Sequence, residues 1–489
     1  MSLSIVALCL LIVIGIYFYN NPLQHGPWFL SRRFINWFPL GMTYAFLYMG
    51  RYNLTVAKNS FGSLMTNQDF GLIFGAGTIV YGLSFLVNGP LVDKIGGKKG
   101  IMIAAVGASA ANLAMGVVTY LVVTGRLQVK LVGIFSVLYA LNMYFQSYGA
   151  VSIIKVKAHW FHVRERGVFG AIFGTLISFG VYFAFDWGQA IVNMTKAAAG
   201  APASWVHALV RRLFVPAGVT VDATWTVFFI PAAILLVWVL LDLWLIKDTP
   251  EEAGFPHLDV HDASSGHMHE EYTTMDLLRK VFGNPVMLMI AGVELTSGVL
   301  RNGIMQWYTI FAHDVKQPGA EGILANWGLL LCVFGIVGGF AGGLISDKYF
   351  QSRRGPPAAL LSSFMLMMAA VMAMTLFSLP LVVGLAALLI VAAVTGVHSL
   401  MSGTAAADFG GRKATATCSG IVDGCVYLGS GVQSVCVGYL SGRSWRWWPI
   451  FLMPFALMGA LIAWRIWHEL PAATRKYINE HEGKSAPAA

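Results

Sequence analysis

The sequence predicts an all-α polytopic membrane protein made of two pseudo-symmetric six-helix bundles, with one extra helix at the N-terminus. Three observations carry this. The 489 residues are 57% hydrophobic and only 11% charged, whereas soluble domains carry about 25% charged residues. Apolar stretches of about 20 residues, each long enough to cross hydrocarbon as a helix, follow one another almost to the end. Landmarks of the first half also recur in the second at a nearly constant offset. Arg51 and Arg301 lie 250 residues apart, and Asp93 and Asp347 lie 254 apart.

Leu3 to Tyr19 is apolar and uncharged. No basic residues precede it and no clear small-x-small cleavage site follows, so a removed signal is not expected. It reads as an extra spanning helix. A segment lying on the membrane surface is the alternative at this length. Twelve core spans are then expected near 34–56, 70–92, 100–124, 131–154, 167–192, 224–246, 285–312, 324–345, 357–378, 380–403, 415–439 and 446–466. The expected organisation is an extra helix and linker over 1–33, one six-helix half over 34–246 and a central loop over 247–283. A second half over 284–468 and a tail over 469–489 complete it. Residues 194–223 read as an Ala/Gly/Pro-containing loop, and the central loop holds four of the twelve histidines.

Charge sets the orientation. With alternating helix ends and the segment before the first core helix inside, 21 Lys and Arg fall inside and nine outside. Such a bias fixes topology. It puts the central loop and the C-terminus in the cytoplasm, and it explains the net charge of +9 without nucleic acid. Only two of the 32 basic residues belong to neither side, Arg51 and Arg301. A charge at the centre of a spanning helix costs about 2.5–3.5 kcal/mol, and such residues mark function. Cys9, Cys332, Cys418, Cys425 and Cys436 show neither metal-ligand spacing nor a disulfide framework. They read as small core residues, and no metal is expected.

The two arginines have polar company. Tyr44, Tyr48 and Arg51 are spaced i, i+4, i+7 and share one helical face. Either they line a cavity with phenol donors beside a guanidinium, or the tyrosines are core packing. Arg301 has Asn302 beside it and Tyr308 at i+7. A guanidinium is a planar fork that fits carboxylate or phosphate bidentately and stays charged. Two forks, one per half, suit a dianion. The alternative for Arg301 is a buried ion pair with Glu294, seven residues earlier. Glu294, Asp423 and His398 are ionisable groups in apolar context, candidates for proton coupling, for a ligand contact or for an interhelical hydrogen bond. Asp186 is a weaker one. Tyr81, Gln146, Tyr148 and Tyr427 are further cavity candidates. Asp93, Lys94, Asp347, Lys348 and Arg354 sit at helix ends, where charge-assisted contacts can hold a gate; orientation-setting loop charge is the plainer reading.

Several pieces resemble a known family. Gly89-Pro90-Leu91-Val92-Asp93-Lys94-Ile95-Gly96-Gly97-Lys98-Lys99 resembles the loop signature of the major facilitator superfamily. More specific pieces look like its organophosphate:phosphate antiporter branch, which includes glycerol-3-phosphate and hexose-phosphate carriers. They are Tyr44/Tyr48/Arg51, His159-Trp160 with Glu165-Arg166-Gly167, and Asp248-Thr249-Pro250 with Gly254-Phe255-Pro256. Leu300-Arg301 with Gly303 and Trp307, Ser346-Asp347-Lys348 with Arg354-Gly355, and Tyr427-Leu428-Gly429 complete the set. The likeness runs from about residue 34 to 468. The chain departs from the glycerol-3-phosphate carriers at Phe85, Ile177, Gln306 and Cys332, where those carry lysine, histidine and two acidic residues.

The resemblance implies a secondary transporter that exchanges an organic phosphate for inorganic phosphate by alternating access. It also implies a monomer in the bacterial inner membrane, in contact with lipid, without cofactor or nucleic acid. No nucleotide-binding motif or catalytic triad is apparent, so no enzymatic activity is expected. Two other readings stay open: a proton-coupled transporter of another organic anion using Glu294 or Asp423, and a non-transporting sugar-phosphate sensor.

Overall fold

The structure is a computed structural model and describes residues 2–162, 165–198, 204–258, 279, 282–316, 318–350, 353–405 and 415–469. Most of the central loop and nearly all of the expected tail lie outside the described residues.

Local chemistry sets the helix ends. The first helix, α1 (Ser2–Tyr19), is 18 residues long, about 27 Å at 1.5 Å per residue. Pro27 starts α2 (Pro27–Phe61), where its missing N–H is not needed. Thr66 and Asp69 form a reciprocal capping box at the start of α3 (Asn67–Ile95). Gly96, with φ of +90°, turns the chain into α4 (Gly97–Val123). A Cβ at Gly96 would collide with the Asp248 carboxylate, which accepts from Lys98 N at 2.7 Å and caps α4. Two members of the sequence motif thus meet at one helix start. Then come α5 (Leu131–Trp160) and α6 (Arg166–Tyr182). A wider π-helical turn over Phe183–Trp187 leads to α7 (Gly188–Met194).

The expected loop over 194–223 contains a further helix, α8 (Trp205–Phe214). It was hidden because it is short and lies among Ala, Gly and Pro. Ser204 caps it by accepting from His207 N at 3.2 Å, and His207 Nε2 meets the Met194 carbonyl at 2.9 Å. Trp205, Leu209 and Leu213 are exposed beside Arg211 and Arg212. That is the make-up of a helix suited to a membrane surface. The remaining helix of this half is α9 (Thr226–Leu245).

In the second half Asn284 caps α10 (Pro285–Met305). The expected seventh span is broken at Gln306, and α11 (Trp307–Val315) starts anew. The rest are α12 (Glu321–Ala325), α13 (Trp327–Tyr349), α14 (Gly355–Thr375) and α15 (Pro380–His398). A π-helical stretch over Ser399–Ala405 follows α15, and α16 (Thr415–Ser441) and α17 (Trp447–Arg465) close the fold.

Nine of the described helical segments are long and apolar enough to cross a membrane. Helices α2, α5 and α10 are not among them. These three carry Arg51, Gln146 and Arg301, and their polar residues are what lowers their hydropathy.

The chain forms two compact units. One comprises Met1–Asp262, Thr309–Lys316 and Glu321–Val333, and the other comprises Ala263–Tyr308, Gln317–Ala320 and Phe334–Ala489. In the first, α2 packs on α9, α6 and α5, and α3 and α4 both pack on α5. In the second, α10 packs on α16, α17 and α15. Gly298 and Gly429 let α10 and α16 touch backbone to backbone, because a Cβ on either would enter the Val426 or Leu295 carbonyl. Small residues at such crossings are the usual membrane solution.

One buried ion pair ties the first unit together. Arg33 forks onto both oxygens of Glu165 at 2.9 Å each and also donates to Tyr17 Oη at 3.0 Å. Tyr17 in turn donates to the Leu30 carbonyl at 2.9 Å, docking α1 on α2. Burial alone would raise the Glu165 carboxyl, but the Arg33 hydrogen bonds and charge outweigh it and hold the group below its usual value. A depressed carboxylate adds stability above its unfolded pKa, and that stability is lost as pH falls through the folded value. Arg33→Ala should therefore cost about 3–5 kcal/mol, the usual result of stranding a buried charge, read as a lower melting temperature in detergent. Glu165→Gln should flatten the acid limb of the melting profile; an unchanged limb would contradict the assignment.

Candidate functional site

In the first unit Arg51 is fully buried. Its Nε donates to Gln146 Oε1 at 3.0 Å and its Nη2 to Tyr81 Oη at 3.1 Å. The guanidinium carbon stands 4.6 Å from the ring centres of both Tyr48 and Tyr81, a cation–π geometry. Tyr139 Oη donates to the Arg51 carbonyl at 2.8 Å. Gln146 of α5 and Tyr81 of α3 thus orient the guanidinium through neutral oxygens, and the rings of Tyr48 on α2 and Tyr81 lie against it.

Behind it Gln146, a candidate from the sequence, leads into a chain of three asparagines that the sequence did not single out. Gln146 Nε2 donates to Asn142 Oδ1 at 3.0 Å, and Asn112 Nδ2 donates to the same oxygen at 3.1 Å. Asn53 Nδ2 donates to Asn112 Oδ1 at 2.6 Å, and Asn142 Nδ2 to the Gly50 carbonyl at 2.8 Å. All four amide side chains are buried. Asparagine recurring in apolar spans was the available signal, but it carries no charge to flag it. The ladder links α2, α4 and α5 around the turn that bears Arg51. Buried hydrogen bonds in series of this kind rigidify their surroundings, although Asn53 Oδ1 has no partner among the described residues.

Tyr44 and Tyr48 pack edge to face, with ring centres 5.6 Å apart. Tyr148 exchanges a hydrogen bond with Tyr144 Oη at 3.1 Å. Phe85 meets the Tyr81 ring edge-on at 5.0 Å, so the position that departs from the resembled carriers supports the tyrosine that holds Arg51. Cys332, another departure, is buried. Asp242 in α9 is a buried carboxylate that the reading also missed, because it lies near the end of its span. Thr43 Oγ1 donates to it at 2.7 Å. Asp186 accepts from Gly328 N at 2.7 Å and Leu329 N at 3.1 Å, which makes it a cap on the start of α13.

In the second unit Arg301 is half-buried on α10 and Asn302 beside it is buried. Asn302 Nδ2 donates to Ser430 Oγ of α16 at 2.6 Å. Glu294 is fully buried, and its carboxylate meets His398 Nδ1 of α15 at 3.0 Å. This histidine is a partner of Glu294 that the sequence spacing did not point to. Asp423 of α16 accepts from Ser402 Oγ. Tyr308 and Tyr427 are buried, as is Gln306 at the helix break. Trp448 Nε1 donates to the Gly303 carbonyl at 2.7 Å.

The helix-end residues lie within their own units. Lys155 Nζ donates to Asp93 at 3.0 Å across α3 and α5, and Lys94 is exposed. Arg354 Nη1 donates to Ser346 Oγ at 2.9 Å. Lys348 Nζ stands 5.7 Å from the Tyr349 ring centre. The side chain of Asp347 lies outside what the structure describes.

Comparison with known proteins gives a consistent picture. The glycerol-3-phosphate transporter of Bacillus subtilis (strain 168) is 25% identical over 413 residues, 82% of this chain and 85% of that protein. The membrane sensor protein UhpC of Escherichia coli (strain K12) is 22% identical over 451 residues, 89% of this chain and 92% of that one. Among solved structures, a bacterial homolog of the human lysosomal transporter Spinster matches with a TM-score of 0.68 at 15% identity, over 95% of this chain and 100% of that one. That likeness speaks for the fold. The family model of the Major Facilitator Superfamily matches residues 40–434, and the chain belongs to that superfamily.

Proposed function

We propose that this chain is a secondary active transporter that exchanges an organic phosphate for inorganic phosphate by alternating access. The anion is held by Arg51 together with Arg301. The observation that carries the reading is the setting of Arg51. A permanently charged fork is fully buried in a membrane helix and oriented by Gln146 and Tyr81, at the head of a four-amide ladder. Arg301 occupies the equivalent position 250 residues later. The glycerol-3-phosphate transporter among the relatives supports a phosphate-bearing substrate.

Two guanidinium groups repel, and a bound dianion turns that repulsion into attraction. A loaded site therefore reorients readily and an empty one slowly, which yields exchange rather than leak. The substrate-binding set extends to Tyr44, Tyr48, Tyr81, Gln146, Tyr148, Asn302, Tyr308, His398 and Tyr427. Asp93, Lys94, Asp347, Lys348 and Arg354 serve as gate contacts. The protein acts as a monomer in the bacterial inner membrane, with its central loop and C-terminus in the cytoplasm. The sensor relative favours one other reading, a receptor that binds a sugar phosphate without moving it.

Proteoliposomes loaded with inorganic phosphate should take up labelled glycerol 3-phosphate or a hexose phosphate only while phosphate is inside. Uptake that ignores internal phosphate and follows a pH gradient would refute exchange; binding without flux would establish the sensor.

Arg51→Lys and Arg301→Lys should each lower transport tenfold or more with an unchanged melting temperature. Lysine keeps the charge and loses the fork, and a charge-assisted hydrogen bond is worth about 1.5–3 kcal/mol. Normal affinity in either variant would refute the clamp.

A further inference from the structure

The second unit gathers four ionisable side chains around the middle of α10. Glu294 Oε2 lies 3.0 Å from His398 Nδ1. Asp423 feels the charges of His398, Glu294 and Arg301, and His398 feels those of Glu294, Asp423 and Arg301. Cys425 of α16 also lies within the field of Glu294. Helix α17, which packs on α10 as well, holds a single charged residue, Arg465, at its far end. The π-helical stretch after α15 contributes Ser402, which donates to Asp423.

Burial differs sharply within the closest pair. The Glu294 side chain is 0% exposed and the His398 side chain 29%. The second Glu294 oxygen, Oε1, has no hydrogen-bond donor among the described residues. A buried carboxylate oxygen without a donor leaves a hydrogen-bonding position open inside the protein. The histidine is the more exposed member of the pair.

The charges then constrain the anion. With both carboxylates ionised and the imidazole neutral, the group around Arg301 carries one net negative charge. An anion drawn to the guanidinium meets two carboxylates beside it. One proton makes the group neutral, and the obstacle falls.

We propose that Glu294 and His398 form a proton-binding site that loads together with the anion. The imidazole gains a proton at Nε2 and gives its Nδ1 proton to Glu294 Oε2. It returns to neutral, Glu294 becomes the neutral acid, and one proton has entered. The inference rests on Arg301 as an anion ligand. The site makes anion movement proton-linked, a property that simple phosphate exchange does not require.

The test is calorimetric binding of glycerol 3-phosphate to the purified full chain at about pH 8, in buffers of different ionisation enthalpy. A phosphomonoester has its second pKa near 6, so there the ligand is already a dianion and any proton taken up goes to the protein. Wild type should take up about one proton per anion and Glu294→Gln about none. If Glu294→Gln does not melt cooperatively, His398→Gln takes its place and should lose the uptake as well. Binding without proton uptake in wild type overturns the proposal alone, as does a full proton retained in the variant. A chain that binds neither glycerol 3-phosphate nor inorganic phosphate overturns the anion reading along with it.

Discussion

A guanidinium cannot lose its charge to escape a membrane, so the protein around Arg51 must stand in for water. The first unit is arranged to meet that demand. Gln146 and Tyr81 take its N–H groups, and the faces of Tyr48 and Tyr81 cover its plane. The amide ladder of Asn142, Asn112 and Asn53 fixes Gln146 in turn. These two acceptors are neutral oxygens, so they orient the guanidinium through dipoles. The small residue beside it has the same logic. A Cβ at Gly50 would press on the Asn112 amide, so that glycine lets the ladder reach the α2 backbone.

The second unit treats its arginine differently. Asn302 and Ser430 tie α10 to α16, and Gly298 and Gly429 bring those two backbones into contact. The titratable side chains His398 and Asp423 lie within the field of Arg301. One half thus sets neutral dipoles beside its fork and the other sets groups that can change charge. A duplicated helical framework has been filled with two unlike chemistries.

Much of this was readable from residues alone, for physical reasons. A charge inside an apolar stretch is conspicuous, so Arg51, Arg301, Glu294, His398 and Asp423 stood out. The superfamily and the helical class were legible because loop motifs and apolar spans are strong signals. Asn53, Asn112 and Asn142 did not stand out, since a neutral amide scarcely disturbs hydropathy and its partners are distant in sequence. Asp242 was lost because charges near the end of a span look like loop charges. Helix α8 was missed because ten residues among Ala, Gly and Pro give too short a pattern. The break at Gln306 and the π-helical turn over Ser399–Ala405 involve no proline or acidic or basic residue, and Asp186 in the turn over Phe183–Trp187 finds its partners at the start of α13, so these irregularities follow from tertiary packing. The Glu294–His398 pair joins residues 104 apart in sequence, which no local spacing reveals.

The central claim is that Arg51 and Arg301 grip the same anion, and a double-mutant cycle tests it most directly. Glycerol 3-phosphate affinity would be measured by calorimetry for wild type, Arg51→Lys, Arg301→Lys and the double variant. Shared ligation predicts non-additive losses, with an interaction energy of about 0.5–3 kcal/mol. Losses that add to within about 0.3–0.5 kcal/mol would mean that the two arginines act independently, and would contradict the account.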